Sequence, residues 1–477
     1  MPKVKIDGEF FNAEKGELLS NILIKAKKAT PHPCGGMGVC KKCTVFVNGK
    51  KELSCQYKIT DDAVVELLDE GSFLEAALKK DGHVTENVCF CLDIGTTTLA
   101  LALVSQDEKK IIDVKTAPNP QRKFGADVIS RIAFCKENGV EKLQEPLIEA
   151  VNSLLSAYNV NTARDLFVAG NTTMLHTFFG VDCTCLGTFP YTPKFLESKT
   201  EQAEALGIAC VERVISLPCI SAFIGADIVA GLNLIKKEKT KKFSLLLDLG
   251  TNAEIVLFSE NKFYCTSAAA GPCFEGVNIS QGMGATNGAI YSYKDGVASV
   301  IGNTVAKGIC GTGLIDVIAE LLKKGVIDET GFLEAEEEEI ANGVFIERND
   351  VRQYQLAKSA VYSAISVLLN TENISFDDIE ALYVSGGFSA KLNMENAAFT
   401  GLLPQELKEK CVFLNNSSLL GTVRYACEGG TLESFVKKAE CADLSASELF
   451  SKEFLKNMNF QHQKQKGKMY EKSKENN

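Results

Sequence analysis

Four cysteines near the N-terminus restrict how the first part of this chain can fold. Cys34, Cys40, Cys43 and Cys55 follow a C-x5-C-x2-C-x11-C spacing, and the first three stand in the glycine-rich stretch 33–43. Four thiolates that converge on one point suit a [2Fe–2S] cluster, in which each iron takes two cysteine sulfurs. The glycines let the backbone curl around such a cluster in conformations that a Cβ would forbid. The spacing therefore predicts a [2Fe–2S] cluster with these four ligands.

A structural zinc site is the alternative interpretation of these cysteines, because two of the gaps between them would suit zinc. Zinc sites usually pair two C-x2-4-C knuckles, whereas here a loop with three cysteines is followed by a lone fourth. The cluster is therefore preferred, and electron transfer is the first function to consider.

Short strand patterns and one helical pattern surround the cysteine loop. Asp7-Gly8 and Asn48-Gly49 each mark a tight turn between two extended segments. Apolar residues from Leu18 to Ala26 recur at helical spacing. The predicted strands are 4–6, 10–12, 44–47, 50–54 and 63–67. Four or five strands with one helix within residues 1–68 resemble the α+β β-grasp fold of plant-type and adrenodoxin-type ferredoxins.

Composition limits the classes of protein to which the chain can belong. Its 477 residues should form two to four domains, and 45% hydrophobic with 23% charged residues allow large cores in water. A net charge of −10 argues against general nucleic-acid binding. Neither a membrane-length apolar run nor a signal-peptide pattern occurs, so we expect a cytoplasmic protein with no membrane association. Most of the 17 cysteines are then expected to be reduced, buried thiols.

A different pattern begins at residue 88. The apolar segment 88–92 runs into Asp93-Ile94-Gly95-Thr96-Thr97-Thr98, and a second apolar segment, 99–104, follows. Two strands joined by a tight turn with glycine and hydroxyl residues form a hairpin suited to bind phosphate, because its amides and hydroxyls donate hydrogen bonds. Asp93 is suited to order a magnesium ion or its waters.

The same pattern recurs about 155 residues later. The apolar segment 245–247 leads into a second turn, and another apolar segment, 255–258, follows it. This turn contains Asp248, Gly250, Thr251 and Asn252. A third glycine loop, with Gly386 and Gly387, follows a further apolar strand. No G-x-x-x-x-G-K-[ST] pattern occurs, which excludes a P-loop machine.

Two DxGT hairpins followed by a V-S-G-G loop resemble the actin, sugar-kinase and heat-shock ATPase superfamily. Its members have two RNase H-like α/β halves with ATP in the cleft between them. The resemblance implies a two-lobed α/β ATPase after the ferredoxin domain, with ATP and Mg²⁺ as cofactors. It further implies that the two hairpins clamp the phosphates, that Asp93 and Asp248 are the catalytic carboxylates, and that Gly386 and Gly387 approach the adenosine.

Further motifs narrow the resemblance. They are 119–121, 124–131, 170–176, 223–227, 269–276, 308–313 and 355–358. Together with an N-terminal ferredoxin, they resemble the reductive activators of corrinoid enzymes over nearly all of residues 1–430. The polar candidates for the cleft are Asn171, Thr172, Asp227 and Glu275. His176 and Cys310 are expected to be core residues.

This resemblance implies an ATP-dependent activator that passes an electron from the cluster to the Co(II) corrinoid of a partner protein in a methyltransferase system, regenerating Co(I). A ferredoxin, a flavodoxin or a reductase would supply the electron. Whether the protein forms a homodimer is left open. No corrinoid-binding D-x-H-x-x-G pattern occurs, so the cobalamin would belong to the partner. A cluster-regulated small-molecule kinase and an ATP-dependent activator of another low-potential metalloenzyme stay open as alternatives.

The expected domain order is a ferredoxin domain at 1–68, a linker at 69–87, ATPase lobes at 88–240 and 241–440, and a C-terminal helix and tail at 441–477. Larger members of the family carry linker and middle segments after the ferredoxin, for which we expect no counterpart in the short gap here. The glutamate-rich run 334–339 predicts an exposed acidic loop or helix end. The lysine-rich stretch 452–477 predicts a disordered tail.

Overall fold

The chain divides into two compact units, Met1–Ala76 and Ala77–Asn477. The computed structural model describes residues 1–6, 9–26, 44–48, 50–67, 87–125, 127–158, 160, 163–235, 242–386, 392–445 and 447–460. In these ranges no helix combines the length and the apolar character that crossing a bilayer requires.

In its described residues, the first unit contains one mixed five-stranded sheet and one helix. Its strands are β1 (Lys3–Ile6), β2 (Glu9–Asn12), β3 (Thr44–Val47), β4 (Lys50–Leu53) and β5 (Ala63–Leu67), and α1 is Leu19–Lys25. The spatial order is β2-β1-β5-β3-β4, with β1 parallel to β5 and the other pairs antiparallel. The five predicted strands and the helix are therefore confirmed, with shifts of one residue at some ends. The stretch 33–43 lies outside the described residues.

A small separate core holds this sheet against its helix. Alternate residues of β1, Val4 and Ile6, are buried, and so are Leu19, Ile22 and Leu23 on one face of α1. The period of two in the strand and the period of 3.6 in the helix bring these apolar faces together. The same side chains that gave the sequence pattern therefore form the core.

The second unit begins with a six-stranded sheet. Its strands are β6 (Val88–Ile94), β7 (Thr98–Ser105), β8 (Lys110–Pro118), β9 (Ala163–Gly170), β10 (Thr200–Gln202) and β11 (Val211–Ser216). The spatial order is β10-β11-β9-β6-β7-β8. Strands β6, β7 and β8 form an antiparallel meander, and β9 and β11 continue the sheet in parallel from β6.

A second six-stranded sheet repeats this arrangement. Its strands are β12 (Phe243–Leu249), β13 (Ala253–Phe258), β14 (Phe263–Ala268), β20 (Ile379–Ser385), β21 (Cys411–Phe413) and β22 (Ala439–Cys441), in the order β21-β20-β12-β13-β14-β22. Strands β12, β13 and β14 are an antiparallel meander, and β20 and β21 continue in parallel from β12. Five strands of each sheet thus follow the order 3-2-1-4-5, so the core of this unit is a duplicated α/β sheet.

Helices cover these sheets, and two small sheets are inserted in the second half. The helices are α2 (Val128–Asn138), α3 (Glu141–Ser156), α4 (Thr172–Phe178), α5 (Ala226–Leu234), α6 (Gly311–Lys323), α7 (Arg348–Thr371), α8 (Met394–Phe399), α9 (Ser417–Glu428), α10 (Glu433–Val436) and α11 (Glu448–Lys456). The small sheets comprise β15 (Ala289–Lys294), β16 (Val297–Val300) and β17 (Gly308–Ile309), and β18 (Glu337–Ala341) with β19 (Val344–Glu347).

Two predictions about local structure are wrong in part. The acidic run is largely exposed, as expected, but half of it lies in strand β18 rather than in a loop or helix end, because this segment pairs with β19 and buries Ile340. Residues 452–460 are ordered rather than a tail: they form the end of α11 and a following segment that buries Phe460. The buried Lys358 ammonium donates to the carbonyls of Asn457 and Asn459 and so anchors this segment on α7. Residues 461–477 lie outside the described ranges.

Candidate functional site

The turn of the first hairpin, between β6 and β7, is held by side chains from outside the hairpin. The Gly95 amide donates to the Thr98 carbonyl at 3.0 Å, which closes the turn. The Asn119 amide side chain donates to the Gly95 carbonyl at 2.8 Å, and the Asn119 backbone amide donates to the Thr97 carbonyl at 2.9 Å. Asn119 is buried, and its two hydrogen bonds fix the backbone of this turn from the interior of the protein.

A buried arginine and an asparagine fix Thr96 in the same turn. The Arg131 guanidinium donates to the Thr96 carbonyl at 2.6 Å and to the Gly125 carbonyl at 3.0 Å. Burial lowers the pKa of Arg131 to about 10, which leaves it charged at neutral pH. The Asn171 amide donates to the Thr96 hydroxyl at 3.2 Å, while its oxygen caps α4. Thr96 and Thr97 remain partly exposed.

Asp93 links the first hairpin to the start of a helix in the second half of the unit. Its carboxylate accepts from the Asn416 amide at 2.9 Å and from the Ser418 hydroxyl at 2.7 Å. Asn416 is the N-cap of α9, so the positive end of that helix faces the carboxylate. Burial raises the pKa of Asp93, and the bonds from Ser418 and Asn416 act against this rise.

The second hairpin presents the equivalent residues from β12 and β13. Asp248 stands opposite Glu254 in the ladder, and the Gly250 amide donates to the Asn252 carbonyl at 2.9 Å. The Thr251 hydroxyl donates to the Glu275 carboxylate at 2.9 Å. A Cβ built on Gly250 would approach no other part of the chain more closely than 3.7 Å. The chain itself therefore does not require glycine here, whereas a ligand pressed against this backbone would.

Gly386 follows β20 and needs glycine for a different reason. Its φ is +107°, and a Cβ there would overlap the backbone carbonyl of Leu249 on the neighbouring strand. Ser385, just before it, bonds to the Ser417 hydroxyl at 2.7 Å. Gly386 therefore sets the close packing of β20 against β12 at the end of the sheet. Gly387 lies outside the described residues.

Several carboxylates of the two halves influence one another. Burial, and then the charges of Asp248 and Asp93, raise the pKa of Asp227 to about 7. Burial raises the pKa of Asp248 to about 6, with the Ser385 hydrogen bond opposing this rise and the Asp93 charge adding to it. Burial, and then the charges of Asp227 and Asp248, raise the pKa of Glu254 well above its usual range. Such mutual repulsion between partly buried carboxylates would be relieved by a cation.

Glu275 contributes a further carboxylate beside the second hairpin. Burial raises the pKa of Glu275, and the hydrogen bond from Thr251 and the charges of Arg122 and Arg131 act against this rise. Arg122 and Arg131 belong to the first half, and Thr251 belongs to the second. Glu275 therefore connects the cationic groups behind the first hairpin with the turn of the second.

Helices α5 and α9 join the two halves directly behind the carboxylates. A Cβ on Gly421 of α9 would overlap the Ala230 carbonyl of α5, so the two backbones touch. The Asn233 amide donates to the Gly421 carbonyl at 3.1 Å, and Arg424 donates to the carbonyls of Asn233 and Leu234 at the end of α5. Asp227 is in the first turn of α5, and Asp93 accepts a hydrogen bond from the N-cap residue of α9, so this crossing lies beside both carboxylates.

The remaining candidates have structural partners. The Thr172 hydroxyl donates to the Ser221 carbonyl at 2.6 Å. His176 is fully buried; the Lys194 amide donates to its Nε2 at 3.1 Å, so Nδ1 carries the proton and donates to the Thr172 carbonyl at 2.8 Å. Burial lowers the pKa of His176, consistent with this neutral form. Cys310 is buried at the start of α6. The expectation that His176 and Cys310 are core residues is confirmed.

The predicted cluster ligands are described only in part. Cys55 follows β4 and is 4% exposed, whereas Cys34, Cys40 and Cys43 lie outside the described residues. Across the ranges that the structure does describe, no three His, Cys, Asp or Glu side chains converge as metal ligands. A magnesium ion in the cleft would retain waters and take ligands from a phosphate.

Each half of this unit contains a 3-2-1-4-5 sheet and a hairpin turn with an acidic residue. This combination defines the ASKHA class, which is the actin, sugar-kinase and heat-shock ATPase superfamily. Residues 242–471 match the family model for the C-terminal domain of RACo, the ASKHA domain, and residues 88–239 match the model for the RACo middle region. The chain belongs to the RACo family of reductive activators of corrinoid enzymes. The expectation that the chain lacks the middle segment of this family is therefore wrong, because residues 88–239 are its counterpart.

Curated relatives and a solved structure agree with this assignment. The corrinoid activation enzyme RamQ of Eubacterium limosum is 31% identical over 356 residues, which are 66% of this chain and 60% of RamQ. The [Co(II) methylated amine-specific corrinoid protein] reductase of Methanosarcina barkeri is 28% identical over 76% of this chain and 75% of its own length. A reductive activator for corrinoid, iron-sulfur protein has the same fold, with a TM-score of 0.71 at 23% identity over 97% of this chain and 99% of its own.

Sequence reasoning missed four residues that support the site. Arg131 and Asn119 stood inside motifs that were singled out, but nothing in the sequence indicated that they bond to the turn after β6. Asn416 stands just before α9 and Ser418 lies in its first turn, and Asn416 gives a recognisable N-cap signal. That signal predicts where α9 begins and does not reveal that Asp93, more than 300 residues away, is its partner.

Proposed function

We propose that this chain is an ATP-dependent reductive activator, which uses its [2Fe–2S] cluster to reduce the Co(II) corrinoid of a partner protein to Co(I). The observation that carries the proposal is the arrangement of Asp93, Asp227 and Asp248, three carboxylates from both halves beside two DxGT turns. Burial raises the pKa of each of them, and the charge of Asp93 adds to the rise at Asp227 and Asp248. The named relatives, a corrinoid activation enzyme and a corrinoid protein reductase, support the same function. We expect it to act in the cytoplasm.

The nucleotide part of the proposal rests on what the two turns offer. Thr96 and Thr97 are partly exposed hydroxyls on a turn fixed by Arg131 and Asn119, and the backbone at Gly250 is open to close approach. We propose that these turns bind the phosphates of ATP, with Thr251 and Asn252 as further donors. Asp93 and Asp248 are proposed to hold Mg²⁺, in part through waters, where their negative charge balances the cation. Mg²⁺ neutralises developing charge on the phosphates.

The need for ATP follows from the redox chemistry. A plant-type [2Fe–2S] centre has a potential near roughly −400 mV, and Co(I) is a stronger reductant, so the electron moves uphill. Each 100 mV of that gap costs about 2.3 kcal/mol per electron. Cys34, Cys40, Cys43 and Cys55 are the proposed ligands of the one-electron donor. A change in lobe position on ATP binding or hydrolysis, transmitted through α5 and α9, would alter the partner's corrinoid environment or retain the reduced product.

Two variants separate the electron path from the ATP path. Cys43→Ser removes a cluster ligand and should leave ATP binding intact, while abolishing reduction of the corrinoid. Asp93→Asn removes a charge from the cleft and should leave the cluster reducible by a ferredoxin, a flavodoxin or a reductase. The electron should then stay on the cluster and not reach the corrinoid. Both reactions are followed by the visible absorbance of a corrinoid protein from a methyltransferase system, in the presence of donor and Mg²⁺·ATP.

Asp107→Asn is the matched control, because Asp107 is exposed in the turn at the other end of β7. It should reduce the corrinoid at the wild-type rate. If Asp93→Asn is equally fast, ATP does not drive the transfer and the proposal fails. ATP turnover stimulated by a small metabolite, with no response to a Co(II) corrinoid protein, would instead support a cluster-regulated kinase.

A further inference from the structure

Two cysteines far apart in the sequence face each other at the edge of the second sheet. Strand β22 pairs in parallel with β14, and Cys441 stands directly opposite Cys265 in that register. Their sulfur atoms are 2.8 Å apart. The Ala442 amide donates to the Cys265 carbonyl at 2.8 Å and the Thr266 hydroxyl donates to the Ala442 carbonyl at 2.8 Å, so two bonds next to the pair hold it in register.

The two thiols have different surroundings. Cys265 is fully buried, whereas Cys441 is exposed. The neighbouring Cys265 thiol lowers the pKa of Cys441 to about 7; burial opposes this effect and a hydrogen bond from Ser221 adds to it. The hydrogen bond to Cys441, and then burial, raise the pKa of Cys265. Cys441, the exposed member of the pair with the lowered pKa, is therefore the thiol that we expect to react as the thiolate.

We propose that Cys265 and Cys441 form a reversible disulfide when the protein meets a small hydroperoxide such as hydrogen peroxide. Adjacent strands lie about 4.8 Å apart, which falls within the range of Cα separations that a disulfide bridges. No backbone rearrangement is then needed to join the two sulfur atoms. The proposal is independent of the proposed activity, since it rests on this pair alone.

The reaction has two balanced steps. The Cys441 thiolate attacks one peroxide oxygen, the O–O bond breaks, and the second oxygen leaves as hydroxide and becomes water, which gives a sulfenic acid on Cys441. The Cys265 sulfur then attacks the Cys441 sulfur, and the hydroxyl leaves as water with the Cys265 proton. Two thiols thus lose two electrons to one peroxide and two waters form. A dithiol reductant reverses the oxidation by exchange.

The position of the pair gives the disulfide a structural consequence. Strand β22 precedes the C-terminal segment that Lys358 anchors, and the bridge would tie it covalently to β14. Oxidation also removes the thiolate that takes the hydrogen bond from Ser221, a residue of the first half whose carbonyl holds Thr172. The bridge therefore forms where the C-terminal segment, the second sheet and a loop of the first half meet.

The test is peptide mapping of the full-length protein, with its cluster, after one equivalent of hydrogen peroxide and alkylation of free thiols. The wild type should yield a linked pair of peptides containing Cys265 and Cys441, and a dithiol should remove the link. Cys265→Ser should leave Cys441 as a sulfenic acid that dimedone traps. Cys441→Ser should leave Cys265 a thiol that is alkylated only after denaturation.

Cys427→Ser is the matched control. Cys427 is partly exposed, but burial and then the nearby Cys89 raise its pKa to about 11, so it should react slowly. This variant should form the Cys265–Cys441 link at the wild-type rate. Wild-type protein in which Cys441 stays alkylatable, or is oxidised to the sulfinic acid with no linked peptides, would overturn the proposal. A link from Cys441 to any other cysteine would overturn it as well.

Discussion

Gly250 and Gly386 follow neighbouring strands of one sheet, and the chain uses them differently. A Cβ on Gly386 would collide with the Leu249 carbonyl, and its φ of +107° is unfavourable for any other residue. A Cβ on Gly250 would meet only ordinary contacts within the protein. A substitution that probes phosphate binding must therefore be made at Gly250, since one at Gly386 disturbs the sheet itself.

We expect Gly250→Ala to weaken binding of Mg²⁺·ATP at least tenfold while the melting temperature stays within about 2 °C of the wild type, because the added methyl occupies only space meant for phosphate. Gly386→Ala should lower the free energy of unfolding by on the order of 1–3 kcal/mol, since backbone strain and overlap with the Leu249 carbonyl destabilise the sheet. Calorimetric titration and scanning calorimetry measure the two effects. Unchanged ATP affinity in Gly250→Ala would contradict phosphate binding at this turn.

Asp227 should make the protein less stable at alkaline pH. Its pKa of about 7 in the folded chain lies above the ordinary value of 3.8, so the folded chain holds a proton that the unfolded chain has released. Stability therefore falls as pH rises from about 4 to about 7. We expect Asp227→Asn to raise the free energy of unfolding at pH 8 by about 1–2 kcal/mol, a value reduced for partial solvent exposure, and by less at pH 5.

Urea denaturation without nucleotide, at both pH values, measures this difference. The exposed Asp61 supplies the control, and Asp61→Asn should change stability little at either pH. The Asp227 variant should also bind Mg²⁺·ATP more weakly, because the repulsion that destabilises the empty cleft is what a cation relieves. A loss of stability at pH 8 in Asp227→Asn would show that the folded protein does not disfavour the ionised carboxylate.

At the scale of elements, α5 and α9 form the contact on which the cleft depends. Asp227 lies in the first turn of α5, and the N-cap of α9 binds Asp93. Their backbones touch at Ala230 and Gly421, so the separation of the helices is set by the absence of a side chain at one position. A change in that separation would move Asn416, which donates to Asp93, relative to Asp227.

We expect Gly421→Ala to lower the free energy of unfolding by about 1–3 kcal/mol, because the added methyl forces the helices apart. Weaker ATP binding should accompany this loss. Glu428→Ala, at the exposed end of the same helix, loses an ion pair with Arg424 and should cost about 1 kcal/mol or less without affecting ATP binding. Denaturation curves and ATP titrations of the two variants test the distinction. Equal ATP affinity in both would mean that the crossing does not control the cleft.

At the scale of the whole molecule, each compact unit has its own hydrophobic core. Among the residues that the structure describes, the core of the first unit is built from residues between Val4 and Val65. The second unit has two large cores, and one of them mixes the two halves: Phe90 and Leu92 of the first sheet share it with Leu246 and Val256 of the second. The units should therefore survive separation, whereas the two halves of the second unit should unfold together.

Limited proteolysis should cleave the chain between residues 68 and 87, where the sequence predicts a linker. We expect the larger fragment to bind ATP like the intact protein and the smaller one to retain the visible absorbance of the cluster. Reduction of the corrinoid by the mixed fragments should be at least tenfold slower at micromolar concentration, since the tether no longer keeps the donor nearby. Loss of ATP binding on cleavage would contradict the independence of the second unit.

Much of the architecture could be predicted because its signals are local. Alternation in 4–6, helical spacing around Leu19–Leu23 and the repeated DxGT turns each depend on residues within one element, and the structure has the strands and helices that they predicted. The failures arise where contacts distant in sequence decide the structure. The lysine-rich composition predicts a tail that includes residues 452–460, but these residues are ordered because Lys358 and the core around Phe460 hold them.

The sequence by itself determined the duplicated sheets, the family and the identity of the acidic turns, since these depend on patterns that repeat along the chain. Only the tertiary structure decided which groups meet. Asp93 faces the cap of α9, Arg131 fixes Thr96, Gly421 touches Ala230, and Cys441 faces Cys265, in pairs separated by up to 325 residues. The register of the strands and the crossing of the helices create these contacts, and neither can be read from the order of residues along the chain.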